Sequence, residues 1–290
     1  MTMRDRSISL ALIHNNNAVR NAHIRPFLNQ LQSQLALRYS VNLIEVSAQS
    51  DIQPHGVSMA LLRDALYQMA DRGWRRYRGL PVQLLPLHVV RFFLSSIKKY
   101  SRGARTWKRN SAVEMVVTDK HVRAWSTFLD KGGDCLICFE DDAVFKNDSI
   151  ARLMALLDEL LPSRLGSPLY ADLAGGCSLD ALKIHDLEVS WDGSFRHYSK
   201  PVTNTACTYL LSRPLVTTFC GILARRPWLR LIGIDWMMNS LLMQMANDGV
   251  KGACLHADPS IFKHGTTTGE YVSWQVEKQA SVPSSEKSAG

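Results

Sequence analysis

Two periods of apolar residues alternate along this chain, and their order predicts its elements. Ser7 to Ile13 (SISLALI) reads as a strand that ends in the polar run His14-Asn15-Asn16-Asn17. From Ala22 to Tyr39 the residues Ile24, Phe27, Leu28, Leu31, Leu35 and Leu37 recur at helical spacing. Val41 to Val46 is a second strand, and this β-turn-α-β opening marks an α/β fold. Helices are predicted over Val57 to Ala70 and Val116 to Asp130, the latter stopped by Gly132-Gly133. Cys135 to Phe139 (CLICF) is a continuous apolar run, the pattern of a strand buried on both faces. A helix capped by Asn147 or Asp148 follows, with a stripe from Ile150 to Leu161. Then come strands at Leu169 to Leu173, Thr205 to Ser212 and Gly252 to His256, and helices at Pro214 to Leu223 and Ile234 to Met245. Gly175 to Lys200 reads as irregular, with a hairpin at Asp192-Gly193. The expectation is one domain over residues 1–279 with a mixed, mostly parallel sheet, and a disordered tail over 280–290.

Composition narrows the class. Apolar residues make up 46% and charged residues 21%, which excludes collagenous and low-complexity chains. Six Cys in 290 residues do not form a disulfide framework, so a reducing compartment is expected. The apolar stretch near the start is too short for a signal peptide, and no run is long enough to span a membrane. The net charge of +8 is concentrated in one block. Residues 71–110 carry eleven Lys and Arg against Asp71 alone, a local charge of +10. Within it Leu87, Val90, Phe93, Leu94 and Ile97 form a helical stripe flanked by Arg91, Lys98 and Lys99. This basic helical insert suits an anionic membrane surface; a core-packed helix with a solvated basic edge is the alternative. Trp74, Tyr77, Tyr100 and Trp107 interleave with the charge, yet no nucleic-acid-binding motif accompanies them, so no specific nucleic acid is expected.

The sharpest chemical feature is Glu140-Asp141-Asp142 directly after the CLICF strand. Three adjacent carboxylates repel one another, and burying them costs several kcal/mol each, in rough terms, without a compensating cation. Alternation on a strand places Glu140 and Asp142 on one face. Hard oxygen ligands suit Mg²⁺ or Mn²⁺, and sites in α/β sheets lie outside the carboxyl ends of strands. Cys135 and Cys138 form a C-x-x-C, but three positions apart on a strand they face opposite sides and read as core thiols. Cys177, Cys207, Cys220 and Cys254 read the same way.

The stretch Val117 to Trp125 followed by CLICFEDDAVF resembles glycosyltransferase family 25, the lipopolysaccharide and lipooligosaccharide glycosyltransferases. His121, Trp125 and Glu140-Asp141-Asp142 stand at that family's Ser-His-x-x-x-Trp and Glu-Asp-Asp places, with Lys120 in place of the Ser. Thr205 to Ser212 and Ile234-Asp235-Trp236 resemble two later motifs, while Asn15 to Arg20 only loosely matches an early one. The resemblance spans most of Val117 to Met245 and implies a GT-A-type, Rossmann-related fold. It implies transfer of a sugar from a nucleotide-sugar donor to a glycan or glycolipid acceptor at the cell surface. The protein would then be cytoplasmic, held peripherally at the inner face of the membrane.

On this reading Glu140 and Asp142 hold the Mn²⁺ or Mg²⁺, with His264 as a further ligand and His256 as second choice; for either His a purely structural role is the alternative. Asp141 touches the donor, and Asn15, Asn16 and Arg20 meet its nucleotide and diphosphate; for Arg20 a solvated helix face is the alternative. His121 orients a phosphate or a carboxylate, or packs in the core with Trp125. Asp235 is the base and Trp236 the acceptor's stacking face; an N-capping Asp with a core Trp is the other reading. Two further functions use the same features, a metal-dependent phosphohydrolase and a basic nucleic-acid-binding protein.

Overall fold

Side-chain alternation along the strands decides how the layers assemble. In the computed structural model residues 6–47, 87, 90, 94, 112–175, 179, 184, 186–203 and 206–272 are described. The strands are β1 (Ser7–Ile13), β2 (Ser40–Val46), β3 (Cys135–Glu140), β4 (Ala143–Phe145), β5 (Leu169–Asp172), β6 (Val189–Trp191), β7 (Phe195–Tyr198), β8 (Thr208–Ser212), β9 (Ala253–Ala257) and β10 (Phe262–His264). The helices are α1 (Ala18–Ala36), α2 (Ala112–Lys131), α3 (Ser149–Ser163), α4 (Arg213–Arg225), α5 (Ile234–Asn247) and the short α6 (Gly265–Thr268). A 3₁₀ turn covers Pro227–Leu231.

Eight strands form one sheet in the order β2-β1-β3-β8-β5-β9-β7-β6. The α/β class and the mixed sheet stand as expected. The parallel majority does not: β1–β2, β1–β3 and β5–β9 are parallel, and the other four pairings are antiparallel. Apolar runs mark burial on both faces and carry no record of strand direction. One face, through Ile8, Leu10, Leu12, Cys135, Ile137 and Phe139, packs on α1 and α3. The other, through Ala11, Ile13, Leu136 and Cys138, packs on α2, α4 and α5. Cys135 and Cys138 are thus core thiols on opposite faces, as alternation requires.

The differences at element ends have local causes. Helix α1 begins at Ala18, four residues before the predicted start at Ala22, because the Asn17 side chain accepts from the amides of Val19 and Arg20. Asp148 occupies the N-cap position of α3 without a side-chain bond. There Ser149 Oγ accepts from the Lys146 amide and donates to the Ile261 carbonyl. The hairpin at Asp192-Gly193 forms between β6 and β7, with Gly193 at φ 98°. The β4–β10 ladder was not legible in the pattern, since each strand is only three residues long.

Leu87, Val90 and Leu94 are helical and exposed. The rest of the basic block, the helix predicted at Val57 to Ala70 and the 280–290 tail lie outside the described residues. Among the described residues no helix is long and apolar enough to cross a membrane.

Phe262 on β10 is fully buried and meets Phe139 and Phe145 edge-on, with ring centroids 5.3 and 4.8 Å away. Phe262→Ala should therefore lower unfolding stability by about 3–5 kcal/mol. Chemical denaturation with an unchanged slope is the check, and a loss below about 1 kcal/mol would show that β10 is not anchored through this ring.

Candidate functional site

The three carboxylates after CLICF sit where β3 leaves the sheet. Strand β3 ends at Glu140, and Asp141 and Asp142 form a turn before β4. Strand alternation therefore stops before Asp142, and the shared face expected for Glu140 and Asp142 does not arise from a strand. Each carboxylate instead takes a separate partner from a different element.

Glu140 Oε1 lies 2.9 Å from His121 Nε2 on α2. The far side of that imidazole, Nδ1, is 2.6 Å from the Tyr209 hydroxyl, which accepts from Trp125 Nε1 at 3.0 Å. An indole N–H only donates. His121 is fully buried, as the core reading expected, and the group it meets is a carboxylate, Glu140.

Asp141 is almost fully buried and paired with Arg20 of α1, whose Nη1 donates to Oδ1 at 3.0 Å. The Asn15 amide donates to Oδ2 at 3.3 Å, and the Asp141 amide donates to the Ile13 carbonyl at 3.0 Å. Burial raises the Asp141 carboxyl to about 6, against the pull of Arg20. Arg20, foreseen as a diphosphate contact, is buried against Asp141 and also donates to the Val272 carbonyl. Asn15 and Asn16 shape the turn after β1: the Asn15 side chain accepts from the Asn17 amide, and Asn16 is exposed at φ 65°.

Asp142 meets His264, whose Nε2 lies 3.1 Å from Oδ2, and the Thr266 hydroxyl donates to the same oxygen. Burial pushes the Asp142 carboxyl up, but the bond and charge of His264 outweigh it and hold it below the usual range. His264 is raised in turn: burial opposes its charge, but Asp142, Glu140 and Asp235 favour it. Register explains the meeting. In the β4–β10 ladder His264 stands opposite Ala143, one residue from Asp142. The Gly265 amide then donates to the Asp142 carbonyl at 2.9 Å. A Cβ at Gly265 would lie 2.8 Å from that carbonyl and 2.5 Å from the Tyr271 ring, so only glycine permits the approach. His256, the second choice, is elsewhere, with Nε2 2.8 Å from the Val202 carbonyl and Nδ1 3.5 Å from Asp172.

These groups line one cavity of about 230 Å³, shared with Ile13, Glu114, Val117, Ala206, Cys207, Gly233, Ile234, Asp235 and Trp236 among others. It lies at the carboxyl ends of the parallel strands β1 and β3, where Ile13 pairs with Glu140. The chain leaves β1 for β2 on one side and returns to β3 on the other, so this is the sheet's switch point. Asp235 is in the first turn of α5 but does not cap it; Gly233 holds the N-cap position. Burial, then the charge of Glu140, raises the Asp235 carboxyl to about 7, while the Ala206 amide donates to it. Asn15, Asn16 and His121 are not among the lining residues.

Among the described residues Asp142, Cys207 and His264 could hold an ion together, their ligand atoms lying within 4.8 Å of one another. Glu140 lines the cavity but stands outside that cluster. Cys207, Thr266 and Glu114 were missed from the sequence. The Gly265-Thr266-Thr267 run after His264 was a usable signal for Thr266; nothing local distinguished Cys207 from a core thiol. No protein-family model and no curated protein matches this chain.

Removing Asp141 takes the countercharge from the buried Arg20 guanidinium, which keeps its bond to the Val272 carbonyl. Asp141→Ala should cost about 3–5 kcal/mol of stability. Equilibrium unfolding measures this, and an unchanged midpoint would mean that Arg20 finds solvent on its own.

Proposed function

We propose that the protein is a metal-dependent glycosyltransferase, of the family 25 type, that moves a sugar from a nucleotide-sugar donor to a surface glycan or glycolipid. The observation that carries this reading is the charge of the cavity. Five carboxylic residues line it, Glu114, Glu140, Asp141, Asp142 and Asp235, and the Arg20 guanidinium there is already paired with Asp141. A diphosphate would be repelled from such a cavity unless a cation came with it. Asp142 and His264 are the residues that would hold a divalent ion, and their oxygen and nitrogen donors fit one. Mn²⁺ or Mg²⁺ in that place supplies charge neutralisation for a departing nucleoside diphosphate. The motif order of His121, Trp125, Glu140-Asp141-Asp142 and Asp235-Trp236 supports the same reading.

The chain's own residues divide the remaining work. Glu140, fixed by His121, stands ready to accept from donor-sugar hydroxyls. Trp236 borders the cavity beside Asp235 and offers a face to the acceptor sugar. In an inverting displacement Asp235 takes the proton from the attacking hydroxyl, a role suited to a carboxyl held near neutrality. The cavity of about 230 Å³ is small beside the ~300–1,000 Å³ of common ligand pockets. It suits the sugar–phosphate junction, with the nucleoside outside it.

Incubation with Mn²⁺ and a panel of nucleotide sugars tests the proposal through release of nucleoside diphosphate. Phosphoester hydrolysis in place of sugar transfer would favour a phosphohydrolase, and tight salt-sensitive oligonucleotide binding a nucleic-acid-binding protein. Asp235→Asn should lower kcat by about a hundredfold with little change in donor KM. A base works only when ionised, so transfer should fall as pH drops through about 7 and level off above it. Normal turnover in Asp235→Asn would remove Asp235 from the reaction.

The proposal extends to the membrane. Leu87, Val90 and Leu94 follow i, i+3, i+7 spacing and are exposed, inside a block whose charge is +10. Each Lys or Arg near an anionic surface contributes about 1 kcal/mol, and salt screens it within roughly 10 Å. The protein should co-sediment with anionic vesicles at low salt and release at high salt. Replacing Arg91, Lys98, Lys99, Arg102 and Arg105 by Gln should weaken this. Equal binding to neutral vesicles would exclude the electrostatic mechanism.

A further inference from the structure

The donor set in the cavity is unusual for an ion that works on phosphates. Hard Mg²⁺ is held mostly by oxygen and retains water, whereas thiolate sulfur selects thiophilic ions. Cys207 puts a sulfur beside the Asp142–His264 pair. Its Sγ lies 3.5 Å from Asp142 Oδ1, and its side chain is almost fully buried while bordering the cavity. The backbone there is fixed, because the Glu140 amide donates to the Cys207 carbonyl at 2.8 Å. The ladder between β3 and β8 continues from that bond, with Phe139 opposite Thr208. Cys207 is therefore held at the start of β8, next to the carboxyl end of β3.

The three ligand atoms are close enough to converge on a single small ion. A tetrahedral site with metal–nitrogen and metal–oxygen bonds of about 2.0–2.1 Å and a metal–sulfur bond of about 2.3 Å has nitrogen–oxygen edges near 3.3 Å and sulfur–oxygen edges near 3.5 Å. The observed distances reach different oxygens of the Asp142 carboxylate, 3.1 Å from His264 Nε2 to Oδ2 and 3.5 Å from Cys207 Sγ to Oδ1, so the carboxyl must turn for one oxygen to serve both edges. All three ligand atoms lie within 4.8 Å of one another. Three protein ligands at the wall of a cavity leave a fourth position for water or a substrate oxygen, the arrangement of catalytic rather than structural sites.

We infer that Cys207 is a metal ligand and that Asp142, Cys207 and His264 form a three-coordinate oxygen–sulfur–nitrogen site selective for thiophilic divalent ions such as Zn²⁺ and Co²⁺ over Mg²⁺. The inference rests on the reading above that Asp142 and His264 hold a cation, and it changes which cation. Ligand softness gives the direction, and the order of affinity among first-row divalent ions places Co²⁺ and Zn²⁺ above Mn²⁺.

Spectroscopy separates this site from the function. Co²⁺ added to the full-length reduced protein under anaerobic conditions should produce a near-ultraviolet thiolate-to-cobalt charge-transfer band. Cys207→Ser should abolish the band, and Cys254→Ser, which removes a buried thiol bonded to Val202, should retain it. By calorimetry Zn²⁺ should bind more tightly than Mg²⁺, and Cys207→Ser should weaken Zn²⁺ by at least about tenfold, since even outer-shell changes cost about 10–100-fold. Circular dichroism controls for folding, with Cys207→Ala as a second variant should the serine fail to pack. Cobalt binding without the band, no cobalt binding, or unchanged Zn²⁺ affinity in both variants would overturn the assignment. A band in a protein that turns over no nucleotide sugar leaves the site standing and removes the glycosyltransferase reading. Turnover without a band does the reverse.

Discussion

Three consecutive carboxylates at the end of a buried strand cannot share one environment. Like charges this close repel, and their burial leaves little water to screen them. The fold resolves this by giving each a partner from a different part of the chain: His121 from α2, Arg20 from α1 and His264 from β10. The partners lie 19, 121 and 122 positions away in sequence, so satisfying Glu140, Asp141 and Asp142 ties three elements to the end of β3. Much of the cavity's wall follows from that demand.

The three partners differ in consequence. Arg20 neutralises Asp141 at depth and is itself covered, so that pair is a strut. The line from Trp125 through Tyr209 and His121 keeps Glu140 pointed. Asp142 and His264 meet at the cavity wall, where both retain the means to take an ion. The gradation from strut to oriented acid to a carboxylate–imidazole pair at the cavity wall occurs within three residues.

Placement at the switch point of the sheet adds the opposing wall. Strand β8 runs antiparallel to β3, so its beginning, with Ala206 and Cys207, lies at the same edge as the end of β3. Helix α5 starts nearby and contributes Asp235 and Trp236. The Asp235 carboxyl is raised because it shares a poorly solvated space with Glu140. Its value is thus a property of the assembled cavity and not of the first turn of α5.

Local pattern was enough for the central strands, the long helices, the β6–β7 hairpin and the opposite facing of Cys135 and Cys138, because each depends on periodicities of two or 3.6 residues. The run Glu140-Asp141-Asp142 after an apolar strand was legible as a cluster of carboxylates, and the structure brings it into one cavity with His264, Asp235 and Trp236. Strand direction was not legible, since burial on both faces looks alike in parallel and antiparallel neighbours. Nor were the separate partners of the carboxylates, because strand alternation was extended past Glu140 into what is a turn. Cys207 was read as a core thiol, and it is as buried as one. Only the antiparallel pairing of β8 with β3 places its sulfur beside Asp142, and only the β4–β10 register places His264 there, because both are contacts between segments far apart in the chain that no local spacing encodes.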